Sequence, residues 1–76
     1  MKSFNEIKEN LEGCEARLQE SYDEMANNAA TLTSEQVVNY RKTQAYLRGW
    51  IAAIRGDSDF ESYTMGYKQA LTWLDS

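Results

Sequence analysis

The chain contains no histidine and no proline. The first absence removes the usual neutral-pH general base, the commonest zinc ligand and every nucleophile arrangement built on an imidazole. The second, together with a count of only four glycines, removes most of the residues that interrupt helices. Cys14 is the single cysteine, so no internal disulfide and no thiolate zinc site can form, and a reducing compartment is expected. No apolar run approaches the ~20 residues that span a bilayer. Met1-Lys2-Ser3-Phe4-Asn5-Glu6 also lacks the apolar core of a signal segment. Positive charge is in deficit: eight Lys and Arg against twelve Asp and Glu leave a net charge of −4, the wrong sign for gripping a phosphate backbone. Glycine-rich phosphate loops and dinucleotide fingerprints are missing as well. These absences predict a cytoplasmic protein that is not an enzyme, uses no cofactor or metal, and binds neither free nucleic acid nor membrane.

What is present suits a small helical protein. Seventy-six residues, 42% of them hydrophobic, predict one helical domain over 1–76, near the lower limit for independent folding. A core of that size supplies about 3–5 kcal/mol, so self-association or a partner is expected to add to it. Ser3-Phe-Asn-Glu6, Thr33-Ser-Glu-Gln36 and Ser58-Asp-Phe-Glu61 each match the capping box, in which a hydroxyl accepts from an early backbone N–H and a carboxylate or amide reaches back. Each opens an apolar-periodic run, which predicts helices over about 4–26, 34–55 and 59–74. Phe4, Ile7, Leu11, Cys14, Leu18 and Met25 form a three–four spaced seam interrupted at Ser21. Val37, Tyr40, Gln44, Leu47, Ile51 and Ile54 form the second seam. In the third helix the inward face is expected to be Phe60, Tyr63, Tyr67, Ala70, Leu71 and Leu74.

Charge is segregated along the chain. Residues 1–28 carry seven acids and three bases, residues 29–56 one acid and four bases, and residues 57–76 four acids and one base. A basic middle segment between two acidic ones predicts that the second helix is the shared neighbour. Gly56-Asp57 reads as a tight turn. The expected fold class is therefore an all-α three-helix bundle. It has a long first helix, a central second helix, an antiparallel hairpin of the second and third, and a tendency to self-associate.

A nine-residue pattern sharpens that expectation. Tyr46-Leu-Arg-Gly49-Trp50-Ile-Ala-Ala53-Ile54 is echoed by Tyr63-Thr-Met-Gly66-Tyr67-Lys-Gln-Ala70-Leu71. Residues four apart share a helix face, so Gly49 with Ala53 and Gly66 with Ala70 present two faces without bulk. They predict a close helix crossing, with Gly49 and Gly66 at nearly the same level. Trp50 and Tyr67 are expected to pack beside it.

Few residues point to chemistry. Asp57-Ser-Asp59-Phe-Glu61 resembles the opening of a calcium loop, but Ser62 and Lys68 stand where glycine and glutamate are required. Helix capping accounts for the same residues. Cys14 lies on the first seam, where a small buried hydrophobe is expected rather than a reactive thiol. The acidic face of the first helix, with Glu9, Glu12, Glu20, Asp23 and Glu24, reads as a solvated surface. Tyr46, Trp50, Met65 and Trp73 sit awkwardly in a minimal core, and such residue types anchor protein interfaces; they are the candidate partner-binding residues.

Together these features predict a protein–protein interaction module acting as an inhibitor, adaptor or assembly factor, with a homodimer or higher oligomer as one expected partner arrangement. Two alternatives stand beside it: an acidic mimic of nucleic acid that occupies a basic groove, and a structural subunit of a larger assembly. Short, histidine-free, acidic helical chains of this kind resemble, in size and composition, the accessory proteins of bacteriophages and mobile elements. That resemblance implies binding to a host protein in the host cytoplasm.

Overall fold

The computed structural model describes residues 1–57 and 64–76. Its helices are α1 (Phe4–Asn27), α2 (Ser34–Arg55) and α3 (Thr64–Asp75). They form an all-α three-helix bundle in which α2 packs against both α1 and α3, while α1 and α3 scarcely touch among the described residues. The third capping box, Ser58–Glu61, the calcium-like run after Asp57 and the aromatic side chains Phe60 and Tyr63 lie outside the described residues.

Local signals in the sequence set the helix ends. The Ser3 hydroxyl accepts from the Glu6 amide at 3.2 Å, and the Glu6 carboxylate accepts from the Ser3 amide at 3.4 Å. Thr33 and Gln36 repeat the exchange at 3.2 and 2.9 Å. Each box satisfies backbone donors that the first helical turn leaves without partners. Gly56 ends α2 in the left-handed region, at φ 76°, a conformation that only glycine adopts without cost. The Gly56 amide donates to Ala53 at 3.2 Å and the Asp57 amide to Ala52 at 2.9 Å, which is the paired closure of a Schellman motif.

α1 and α2 are antiparallel. Their contacts run in opposite order along the chain: Glu24 with Tyr40, Ser21 with Gln44, and Glu15 with Arg55. The two polar interruptions of the seams meet each other here. Gln44 Nε2 donates to Ser21 Oγ at 3.3 Å and lies 3.6 Å from Met25 Sδ. Both residues are buried, at 2% and 7% exposure.

Direction is where α3 departs from expectation. An added Cβ on Gly66 would sit 2.9 Å from the Tyr46 carbonyl carbon and closer still to its oxygen, so the α3 backbone rests on that of α2. Further along, Tyr46 donates its hydroxyl to the Gln69 side chain, and the Trp73 ring packs on Trp50 with centroids 5.7 Å apart. These contacts rise together along both helices. α3 therefore crosses α2 with its C-terminal end toward the C-terminal end of α2 and the N-terminal end of α1, where Lys2 Nζ lies 5.3 Å from the Trp73 ring centre. The antiparallel hairpin is thus replaced by a crossing in the same general sense. The hairpin expectation rested on a two-residue turn, but the described part of α3 starts only at Thr64. Eight residues after Gly56 can reach about 26 Å, more than the ~15 Å return to the level of Tyr46. For the same reason Gly66 meets Tyr46 rather than lying level with Gly49.

The core is made of small residues. Leu47, Ala52, Ala53 and Ala70 are its buried hydrophobic members, and Gly49 lies buried beside them. No large side chain is fully buried among the described residues. The α1 seam residues Ile7, Leu11, Cys14, Leu18 and Met25 are only half-buried, and Phe4 is 78% exposed. Taking Ser21 opposite Gln44, Arg55 falls level with Asn10, so Phe4 overhangs the end of α2 by about 9 Å. Leu71, expected inward, is 42% exposed, because α2 covers the Gly66–Ala70 face of α3 and Leu71 lies on its flank.

Candidate functional site

α1 and α3 both pack on α2, and beside α1 a trough runs along α2, which forms its floor. Tyr40, Thr43, Tyr46 and Leu47 line a stretch of about 400 Å³ bounded on the α1 side by Arg17, Glu20, Ser21 and Glu24. Gln36 and Asn39 extend the floor toward the start of α2. Trp50 follows one turn after Tyr46 on the same face. α3 is joined to α2 by the Tyr46–Gln69 hydrogen bond and the Trp50–Trp73 ring contact.

The four aromatic and methionine candidates fall on this side of the molecule. Trp50 and Trp73 are half-buried against each other, tilted by 58°. Tyr46 is 36% exposed and Met65 69% exposed. Met65 lies four residues before Gln69, hence on the same rim of α3. The small residues Gly49, Ala53, Gly66 and Ala70 are all buried, on the opposed faces of α2 and α3.

The acidic residues divide between two faces. At about 100° per residue, Glu6, Glu9, Gly13, Arg17, Glu20 and Glu24 fall within an arc of roughly 80°, and the last three of these positions line the trough. Glu12 and Asp23 sit on the adjoining outer face, where Gln19 donates to Asp23 at 3.0 Å. Two acids and one base of this arc, Glu20, Glu24 and Arg17, line the trough, while Glu6 and Glu9 lie on the part of α1 that overhangs α2.

Two protons are held more tightly than usual. Partial desolvation pushes the Tyr40 phenol up, and Glu24 pushes it further by repelling the phenolate and by accepting its hydrogen bond at 3.3 Å. Burial pushes the Cys14 thiol up, with a smaller downward pull from Arg17 and a smaller upward push from Glu15. That thiol donates to Asn10 Oδ1 at 3.4 Å. A thiol held protonated is a poor nucleophile. Among the described residues no group of three acidic or cysteine side chains is placed to hold a metal ion, and no helix is long and apolar enough to cross a membrane.

Sequence reasoning singled out Tyr46, which lines the trough, but assigned Tyr40 to the helix seam and missed Thr43 and the Gln69 partner of Tyr46. Thr43 and Gln69 carried no signal, because their places depend on how the helices cross. Compared with known protein families, curated proteins and solved structures, the chain matches none, and its own residues carry the functional reading.

Proposed function

We propose that this protein is a small protein–protein interaction module, acting as an inhibitor, adaptor or assembly factor through a surface that a partner completes. One observation carries the reading. The chain exposes 5490 Å² at a mass of 8.8 kDa, whereas a compact monomer of that mass exposes roughly 4,800 Å². The excess, roughly 700 Å², means that the helices leave more surface uncovered than a compact chain of this mass does. The radius of gyration agrees in direction, at 13.6 Å against roughly 11.4 Å for a compact chain of this length. Part of the excess is apolar: Phe4, Met65, Val38 and Leu71 are exposed at 42–78%. Methionine and aromatic side chains exposed in this way are residue types that anchor interfaces.

The test is affinity capture at moderate salt with the wild-type chain and with Met65→Ala. That side chain is mostly in solvent, so its loss leaves the fold intact. A partner retained at moderate salt by the wild type and lost with Met65→Ala supports the module. Capture only of nucleic-acid-handling proteins, released as salt rises, would replace it with acidic mimicry. Large defined oligomers of the chain alone, with no other partner, would make it a structural subunit.

A further inference from the structure

The trough occupies one face of the molecule, and helix geometry defines the opposite one. At about 100° per residue, positions two apart on a helix stand on opposite flanks, about 160° from each other. On α1, Tyr22 falls between the trough residues Glu20 and Glu24 and so turns away from them. On α2, Arg41 falls between Asn39 and Thr43, Val38 between Gln36 and Tyr40, and Arg48 two residues after Tyr46. On α3, Leu71 falls between Gln69 and Trp73, whose contacts with Tyr46 and Trp50 hold the trough flank of that helix. Two contacts across the helices show that these side chains share a face. The Arg48 guanidinium lies 5.9 Å from the centre of the Tyr22 ring, and Arg55 pairs with Glu15 at 3.3 Å. Phe4 stands five full turns before Tyr22 and so in line with it.

This reverse face is both apolar and basic. Phe4, Val38 and Leu71 are exposed there at 78%, 50% and 42%. Between the α1 and α3 rows runs a row of exposed bases, Arg41, Arg48 and Arg55, which repeat every seventh residue and stand about 10.5 Å apart along α2. Lys8, close to the line of Phe4 and Glu15, adds a fourth base, and Glu15 is the acid set among them. A chain of net charge −4 thus keeps four of its eight bases on one face. Arg48 is held on the Tyr22 ring and Arg55 by Glu15, so these side chains have less freedom to lose when an anionic group arrives.

An α-helix laid along α2 repeats at the same ~10.5 Å, so carboxylates spaced by seven residues would meet this row one for one. Neighbouring helix axes lie about 8–10 Å apart, which brings the flanks of such a helix onto the apolar side chains of α1 and α3. An anionic bilayer fits less well, because a charged row runs down the middle of the face and the net charge of the chain opposes approach. Two copies meeting face to face would set arginine rows against each other. We propose that the face opposite the trough binds an acidic amphipathic α-helix of a partner protein. Its carboxylates lie along Arg41, Arg48 and Arg55, and its apolar side chains rest on Phe4, Tyr22 and Leu71. The inference goes beyond the interaction-module reading, since Met65 and Tyr46 lie on the other face and each surface is testable without the other.

The probe is a three-heptad peptide with glutamates at one heptad position between two leucine stripes. It is titrated into the isotope-labelled full chain at moderate salt and followed by amide chemical shifts, with a leucine–lysine counterpart as control. Saturable shifts at Tyr22, Arg41, Arg48 and Leu71 are expected, with Thr43 and Met65 unmoved and the control silent. Arg41 is exposed, so Arg41→Glu should leave the circular dichroism melt close to that of the wild type while weakening binding at least about tenfold. A peptide with lysine in place of the facing glutamate should regain affinity for that variant. Leu71→Ser gives an independent reading from the apolar row and should also weaken binding. Unchanged affinity in both variants overturns the proposal. So do shifts centred on Thr43 and Met65, no binding, or adsorption to anionic vesicles without peptide binding. Shifts at the same residues when the chain is concentrated alone would assign the face to the acidic α1 surface of a second copy and overturn the partner helix. Capture with Met65→Ala decides the module reading separately, whichever of these results is found.

Discussion

Two glycines show how differently one residue type behaves in two settings. At Gly66 an added methyl collides with the Tyr46 backbone, which cannot swing aside as a flexible side chain would. Gly66→Ala is expected to destabilise by about 1–3 kcal/mol, the usual penalty of overpacking, and to lower the melting temperature by about 4–8 °C per kcal/mol. Gly13→Ala meets nothing and should raise stability by up to ~1 kcal/mol. A thermal melt in which both variants match the wild type would contradict the close crossing. Protonation is the other single-residue effect. Cys14 and Tyr40 hold their protons to higher pH than the ordinary pKa values of 9.0 and 10.0. Both are protonated, folded or unfolded, below pH 9.0, so their contribution is fully present there. As pH rises the unfolded chain releases these protons first, and the contribution is lost through the raised folded values. Urea midpoints should therefore decline above pH 9, and Cys14→Ala should remove the earlier part of that decline. A flat midpoint through this window would show that neither group is held as described.

Between helices, one polar pair sits where a continuous apolar seam would otherwise run. Ser21 and Gln44 are buried and bonded to each other, so removing either strands the other. Ser21→Ala and Gln44→Leu should each cost about 1–3 kcal/mol, and the double substitution should cost less than the sum, with a coupling of about 0.5–3 kcal/mol. Strict additivity in urea denaturation would mean that the pair does not interact in solution. In the sequence Ser21 interrupts the first apolar seam and Gln44 is the polar member of the second. The fold has them meet within one chain, because the antiparallel register brings their levels together.

Across the whole molecule, charge and shape pull in different directions. The basic segment 29–56 lies between two acidic ones, but the ion pair between Arg55 and Glu15 is half-exposed on both sides, and such pairs contribute little singly. Summed attraction among the helices still predicts that raising salt from about 0.01 to about 0.1 M, which shortens the screening length from ~30 to ~10 Å, lowers the melting temperature modestly. A temperature that rises with salt would mean that the net charge of −4 governs instead. Shape is less economical than charge: at 44 × 24 × 18 Å the chain is elongated, and its apolar seams outrun the surfaces that α2 can cover.

The first two helices with their capping residues, the existence of a third helix and the central position of α2 were legible in the sequence. They depend on local spacing, on hydroxyl–carboxylate pairs three residues apart, and on charge sums, all of which are written in neighbouring residues. The apolar seams were legible for the same reason. The sense in which α3 crosses α2 was not, because no pattern within either helix fixes the direction of the other and only packing chooses it. That choice sets Gly66 against Tyr46, Gln69 under the Tyr46 hydroxyl and Trp73 on Trp50. These contacts join segments far apart in the chain, and no local pattern encodes them.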